Sequence, residues 1–175
     1  MRKFKLCFII LLAGFLFVGM HEVDAAARNL GMTVSQFIQK YNASMSSYGI
    51  TSLKIGSTKN KTGSVVSTFQ YMFTPNLGII GSSGTADGLL REVLIISSPK
   101  TEDEAMMALA AFTGISLVVN PEMTASERDN LMRRLKLYNV DELQYSDGVA
   151  IFGNVKYTTQ FVSGIFSFIA SAKDL

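Results

Sequence analysis

The sequence predicts an α+β fold: an antiparallel sheet of about six or seven strands with helices packed on one face, in the order α-ββββ-αα-βββ. Three observations predict it. Hydrophobic residues make up 48% of the 175-residue chain and charged residues 17%, enough apolar surface for a core and too much for a disordered chain. Helical and two-residue periodicities fall in separate blocks, and segregated blocks are the mark of α+β. The strand blocks are joined by short turns, which connect antiparallel neighbours, since a parallel pair needs a crossover of about a dozen residues. The length suits one ordinary domain.

Residues 1–25 are set apart from that fold. Arg2, Lys3 and Lys5 form a basic start, Cys7 to Met20 is an apolar run of fourteen residues, and small residues follow at Ala25, Ala26 and Ala27. This is the pattern of a secretory signal peptide. The run is shorter than the about 20 residues of a membrane span and ends in His21, Glu22 and Asp24. The expectation is cleavage after Ala25, no membrane span afterwards, and a single exported domain over residues 26–175, periplasmic or secreted. Cys7 stands early in the run and not just behind it, where an acylated lipoprotein cysteine would stand.

Cleavage would take away the one cysteine and the one histidine of the chain, Cys7 and His21. Disulfides, thiol nucleophiles, Ser-His-Asp triads and thiolate or imidazole metal sites would leave with them. Carboxylate, lysine, serine and tyrosine chemistry remains. Three basic and two acidic residues lie in the removed segment, so the formal charge falls from +2 to +1, and no nucleic-acid footprint survives in that balance. No cofactor and no metal is expected.

The first element of the mature chain is a helix. Thr33 and Gln36 have capping-box spacing, Met32 can staple onto Phe37, and Val34, Phe37, Ile38, Tyr41 and Met45 recur on one helical face. Ser46, Ser47 and Gly49 interrupt it. Ile50, Leu53 and Ile55 then predict an extended segment closed by Gly56, and the polar stretch 57–64 predicts a hairpin connection. From Val65 the period becomes two: Val65, Ser67, Phe69, Tyr71 and Phe73 share one face. Thr74, Pro75 and Asn76 turn the chain into a strand over 77–80. Gly81, Ser82, Ser83 and Gly84 read as a flexible turn, and Ala86, Asp87 and Gly88 lead into a strand over 89–97. These four strands form an antiparallel meander.

Thr101 and Glu104 again have capping-box spacing, and Glu102, Asp103 and Glu104 suit the positive end of a helix dipole. The segment from Ala105 to Val119 has almost no polar face, which predicts a buried helix lying over Phe69, Tyr71 and Phe73. Asn120 and Pro121 end it. Thr124 and Glu127 open a charged helix reaching Leu137, in which Asp129 and Arg133 can pair. Three further strands are expected: 142–145, an alternating segment containing Val149, Ile151, Val155 and Tyr157 after a turn at Asp147 and Gly148, and an apolar stretch over 161–170. The strands over 89–96 and 161–170 are apolar on both faces. They should lie centrally under cover on both sides or meet another subunit.

Several short motifs invite a chemical reading. Ser97 to Lys100 matches S-x-x-K, Lys61 to Gly63 matches K-T-G, and Ser146-Asp147 completes a superficial likeness to serine β-lactamases. The order is wrong for those enzymes, because K-T-G comes first and Pro99 separates Ser97 from the helix that Thr101 caps. Gly81 to Gly84 lacks both the following helix and the spacing of a phosphate loop or nucleophile elbow. A glycosidase-like pair would need two carboxylates such as Glu92 and Glu142 to meet in space, and no sequence feature brings them together. The charges of the helix from Ala125 to Leu137 are mixed, as on a solvated face. Met106, Met107, Met123 and Met132 are suited to an adaptable apolar groove or to core filling.

The layout resembles that of small exported bacterial proteins of uncharacterised function. The residues that carry the resemblance are Gln36-Phe37-Ile38-Gln39-Lys40-Tyr41-Asn42, Asn120-Pro121 with Glu127-Arg128 and the leucines after it, and Val155-Lys156-Tyr157 followed by Gly164 to Phe168. The resemblance implies export and the α+β layout, and no reaction. The functional expectation is a non-catalytic binding or interaction protein of the bacterial cell envelope. Its partner would be an apolar small molecule, a peptide or another copy of itself, with Met106, Met107, Met132, Phe166 and Phe168 as candidate ligand or interface contacts. The alternative is a small hydrolase using carboxylates or a Ser-Lys pair.

Overall fold

The computed structural model describes residues 29–138 and 147–175. Over these residues the chain is α+β, and its seven strands form one antiparallel sheet in the spatial order β1-β2-β3-β4-β7-β6-β5. The strands are β1 (Lys59–Thr62), β2 (Val66–Thr74), β3 (Leu77–Gly84), β4 (Leu90–Ser97), β5 (Gly148–Phe152), β6 (Val155–Val162) and β7 (Ile165–Ala172). Helices α1 (Val34–Ser47), α2 (Glu102–Val119) and α3 (Ala125–Arg134) pack on one face. The element order is the expected α-ββββ-αα-βββ, and the predicted strand over 142–145 lies outside the described residues.

Helix α1 begins with the capping box: Gln36 N–H donates to Thr33 Oγ1 at 3.3 Å and Thr33 N–H to Gln36 Oε1 at 2.9 Å. Its buried face is Phe37, Tyr41 and Met45, and it ends at Gly49, whose φ of +70° suits a residue without a Cβ. The expected strand from Ile50 to Ile55 does not form. Thr51–Leu53 is a 3₁₀ turn, and the backbone of Ile55 is held by Asn42, which accepts from Ile55 N–H at 2.7 Å and donates to Ile55 O at 2.8 Å. A side-chain amide thus takes the place of a neighbouring strand. Leu53 and Ile55 are buried all the same.

The first strand is instead β1, within the polar stretch expected to be a connection. Every residue of β1 is exposed, and among the described residues it pairs with β2 alone, Lys59 opposite Gln70 and Thr62 opposite Ser67. Edge strands tolerate lysine because nothing buries their outer side. Gly81 to Gly84 also departs from expectation, being the second half of β3 and not a turn. Gly81 lies opposite Phe69, and the Phe69 ring occupies the space that a Cβ on Gly81 would take. The glycine is there to admit the ring.

The register defines rows across the sheet. Phe69, Gly81, Val93, Ala170, Tyr157 and Ala150 form one row beneath the helices, and Tyr71, Ile79, Ile95, Phe168, Thr159 and Gly148 form the next. The aromatic strip of β2 lies under α1 and not under α2: Phe37 meets Phe69 with ring centroids 6.2 Å apart, and Tyr41 meets Phe73 at 6.4 Å. Helix α2 lies over the centre of the sheet, where Phe112 stacks on Phe168 at 4.9 Å and meets Tyr157 edge-on at 6.0 Å. Which helix covers which strand is a choice between apolar surfaces that periodicity does not distinguish.

Strands β4 and β7 are neighbours at the centre of the sheet, with Leu94 opposite Ile169 and Ile96 opposite Ser167. Their second face carries a separate cluster of Ile80, Leu94 and Ile96, with Ile165 and Ile169 packed against it. The expected cover on both sides is met on one face alone: the helices lie over the first, and on the second the cluster is made, among the described residues, of side chains from β3, β4 and β7 themselves.

Helix α3 has its capping box at Thr124 and Glu127 and stops at Arg134, short of Leu137, with Lys136 at a φ of +60°. Asp129 pairs with Arg133 at 2.9 Å as its spacing predicts. The last three strands have other boundaries than expected. A turn at Gly153 and Asn154 splits the alternating segment into β5 and β6, and a turn at Ser163 and Gly164 splits the apolar stretch between β6 and β7. Ser163 and Gly164 both have positive φ, 53° and 80°, as a type I′ hairpin requires. Gly148 belongs to β5 and not to a turn, and its missing side chain leaves room for the backbone of Leu135.

Candidate binding groove

Where the C-terminal turns of α1 pass α2, an open groove of about 280 Å³ forms between them. Gly114 brings the two helices close, since a Cβ there would collide with Met45 and Tyr41. The floor is thus Met45 and the glycine backbone. Ile50, Leu109 and Leu117 contribute further apolar walls, and Tyr48 and Met106 stand at the mouth, 61% and 58% exposed. Among the described residues no charged side chain lines the groove. Its one alcohol from α2, Thr113, turns back to donate to Leu109 O at 2.9 Å. Beneath it, burial raises the pKa of the Tyr41 hydroxyl, which has no hydrogen-bond partner among the described residues. A surface of this kind can bind by apolar contact and dispersion.

Of the five residues singled out from the sequence, Met106 lines this groove. Met107 is half-buried against the main core, Met132 is buried on α3, and Phe166 and Phe168 are buried under α2 with ring centroids 4.6 Å apart. The structure does not bring the five together. Tyr48 and Ile50 escaped the sequence reading, although Tyr48 continues the stripe of Tyr41 and Met45 at helical spacing.

The residues of the hydrolase alternative are dispersed. Ser97 is 1% exposed, on the helix-covered face, and its Oγ has no hydrogen-bond partner among the described residues, while Lys100 is exposed and its backbone N–H donates to Glu104 Oε2 at 2.6 Å. Glu92 lies on the opposite face of the sheet between Ser82 and Ser171, where burial raises its carboxyl pKa. Glu142 lies outside the described residues. Among the described residues no three His, Cys, Asp or Glu side chains converge in a way that could hold a metal ion, and no helix is long and apolar enough to cross a membrane. No family model, curated protein or solved structure matches the chain.

Proposed function

We propose that this chain is an exported, non-catalytic binding protein of the bacterial cell envelope that takes a small apolar ligand in the groove between α1 and α2. The observation that carries the reading is a groove walled by apolar side chains, with two large ones, Tyr48 and Met106, exposed at its mouth. Its volume is near the lower end of the about 300–1,000 Å³ of small-molecule sites, which suits a single hydrocarbon chain or apolar ring better than a large cofactor. Met106 gives it a flexible wall that repacks around differently shaped ligands. Export is supported by the basic start, apolar run and small residues of the first 27 positions.

Titration with a medium-chain fatty acid and with an environment-sensitive apolar dye tests the groove. Wild type should bind one equivalent. Met106→Glu should weaken binding at least about tenfold, or about 1.4 kcal/mol, with an unchanged circular dichroism spectrum. Equal binding by both proteins, or none by wild type, would sink the reading. Export is checked separately by N-terminal sequencing of periplasmic or secreted material, which should begin at Ala26 or within two residues of it.

A further inference from the structure

A groove that binds by apolar contact alone cannot orient what it holds, and small-molecule sites add a few fixed polar groups for that purpose. The lining of this one supplies little. The hydroxyl hydrogen of Thr113 is committed to Leu109 O, and Tyr48 stands 61% exposed at the mouth, where water competes for its hydroxyl. A further polar group lies one layer deeper, on Tyr41.

Tyr41 is fully buried on α1, with Phe37 and Phe73 as ring neighbours at 5.8 and 6.4 Å. Its hydroxyl has no hydrogen-bond partner among the described residues. A buried hydroxyl in that state carries the full cost of its desolvation, and a phenylalanine would fill the same place without it. Arg91 Nε and Ser97 Oγ are also buried without a partner. Arg91, however, meets Asp87 through Nη2 at 3.6 Å, and Ser97 lies at the end of β4, between Leu77 and Phe166. Tyr41 differs in what it touches. Its Cε2 lies 2.9 Å from where a Cβ on Gly114 would stand, and the methyl of Met45 converges on the same spot. Gly114 and Met45 both line the groove. Cε2 is bonded to the carbon that carries the hydroxyl, so the hydroxyl end of the ring, and not its root, reaches the groove floor. Met45 is itself buried, but only its terminal methyl has to turn aside, by rotation about the single bonds of an unbranched thioether.

We propose that Tyr41 selects the ligand of the groove, donating its hydroxyl hydrogen to the oxygen of an uncharged apolar molecule that carries a carbonyl group. The inference rests on the groove being a ligand site and adds the chemical class of what fills it. The oxygen enters past the end of Met45, where Gly114 leaves the floor open, and the hydrocarbon part lies along Leu109, Ala110 and Leu117. A carboxylate at this depth would be a buried charge, and among the described residues no cation lines the groove to pair with it. An acid would therefore keep its headgroup at the mouth. Burial also holds Tyr41 in the neutral, donating form.

Methyl hexyl ketone and octane, equal in chain length and different in one oxygen, are the probes, titrated against wild type and Tyr41→Phe. The variant should keep the melting temperature of the free protein or raise it, because no hydrogen bond within the fold is lost. It should bind the ketone at least about tenfold more weakly and octane equally well. The carbonyl stretch of the bound ketone should lie at lower frequency in wild type than in Tyr41→Phe, the mark of an accepted hydrogen bond. The same ratio of ketone to octane affinity in both proteins would overturn the inference and leave the groove standing, as would wild type that takes octane and not the ketone. Failure of both probes to bind wild type would remove the groove reading and this inference with it. A Tyr41→Phe protein that melts lower and binds the ketone as wild type does would assign the hydroxyl to the fold, and would overturn the inference too.

Discussion

Phe69 is fully enclosed, by Phe37 of α1 on one side and the bare backbone of Gly81 on the other. Phe69→Ala should therefore cost about 3 to 5 kcal/mol in denaturant unfolding, and a loss below about 1 kcal/mol would mean that the ring is not part of the core. Glu92 makes a different prediction. Burial raises its carboxyl pKa, so between the unfolded value of about 4.3 and the raised folded value the native state binds more protons than the unfolded chain. The contribution of Glu92 to stability must then fall as pH rises through that window. Glu92→Gln should flatten this slope and stabilise the protein at neutral pH, as measured by unfolding free energy against pH. Stability that rises through the same window because of Glu92 would contradict the assignment. Phe69 was legible as a core residue from its period of two; the environment of Glu92 was not, because it depends on which strands β4 pairs with.

At the scale of elements, the segment after α1 depends on one side chain. Asn42 makes two hydrogen bonds to the backbone of Ile55, and its loss leaves a partly buried amide and carbonyl without partners. Asn42→Ala should cost about 2 to 3 kcal/mol and should speed amide exchange at Ile55 while leaving the interior of the sheet protected. Unchanged exchange at Ile55 would show that the segment is held by Leu53 and Ile55 packing alone. The capping boxes of α1 and α3 were legible from Thr33, Gln36, Thr124 and Glu127, because a cap is a contact between residues three apart. The Asn42 clamp spans thirteen positions and leaves no such local trace. The turn at Ser163 and Gly164 did leave one: a Ser-Gly pair inside an apolar run is a turn signal, even where hydrophobicity continues on both sides.

For the whole molecule, the helices and the sheet share one core that runs from Phe37 through Ile95 and Phe112 to Tyr157. Folding by apolar burial alone should make residues 26–175 indifferent to chelators and reductants. A melting temperature that falls by more than about 5 °C in either, more than about 1 kcal/mol for a domain of this size, would reveal a metal or thiol contribution that residues 26–175 offer no cysteine or histidine to explain.

Neighbours a few residues apart suffice to settle the fold class, the order of elements, the starts of the three helices and the parity of β2, and all of these were legible in the sequence. Composition also limits the chemistry of residues 26–175, which contain neither cysteine nor histidine. Only the tertiary structure decided that Lys59–Thr62 is a strand, that Gly81 lies under a ring, that α1 and not α2 covers Phe69, and that Tyr48 and Met106 share a groove while Phe166 and Phe168 are buried beneath α2. The reason is physical. An edge strand, a glycine facing an aromatic ring and a groove between helices are defined by residues that meet across tens of positions of chain, and apolar side chains carry no label saying which apolar partner they will meet.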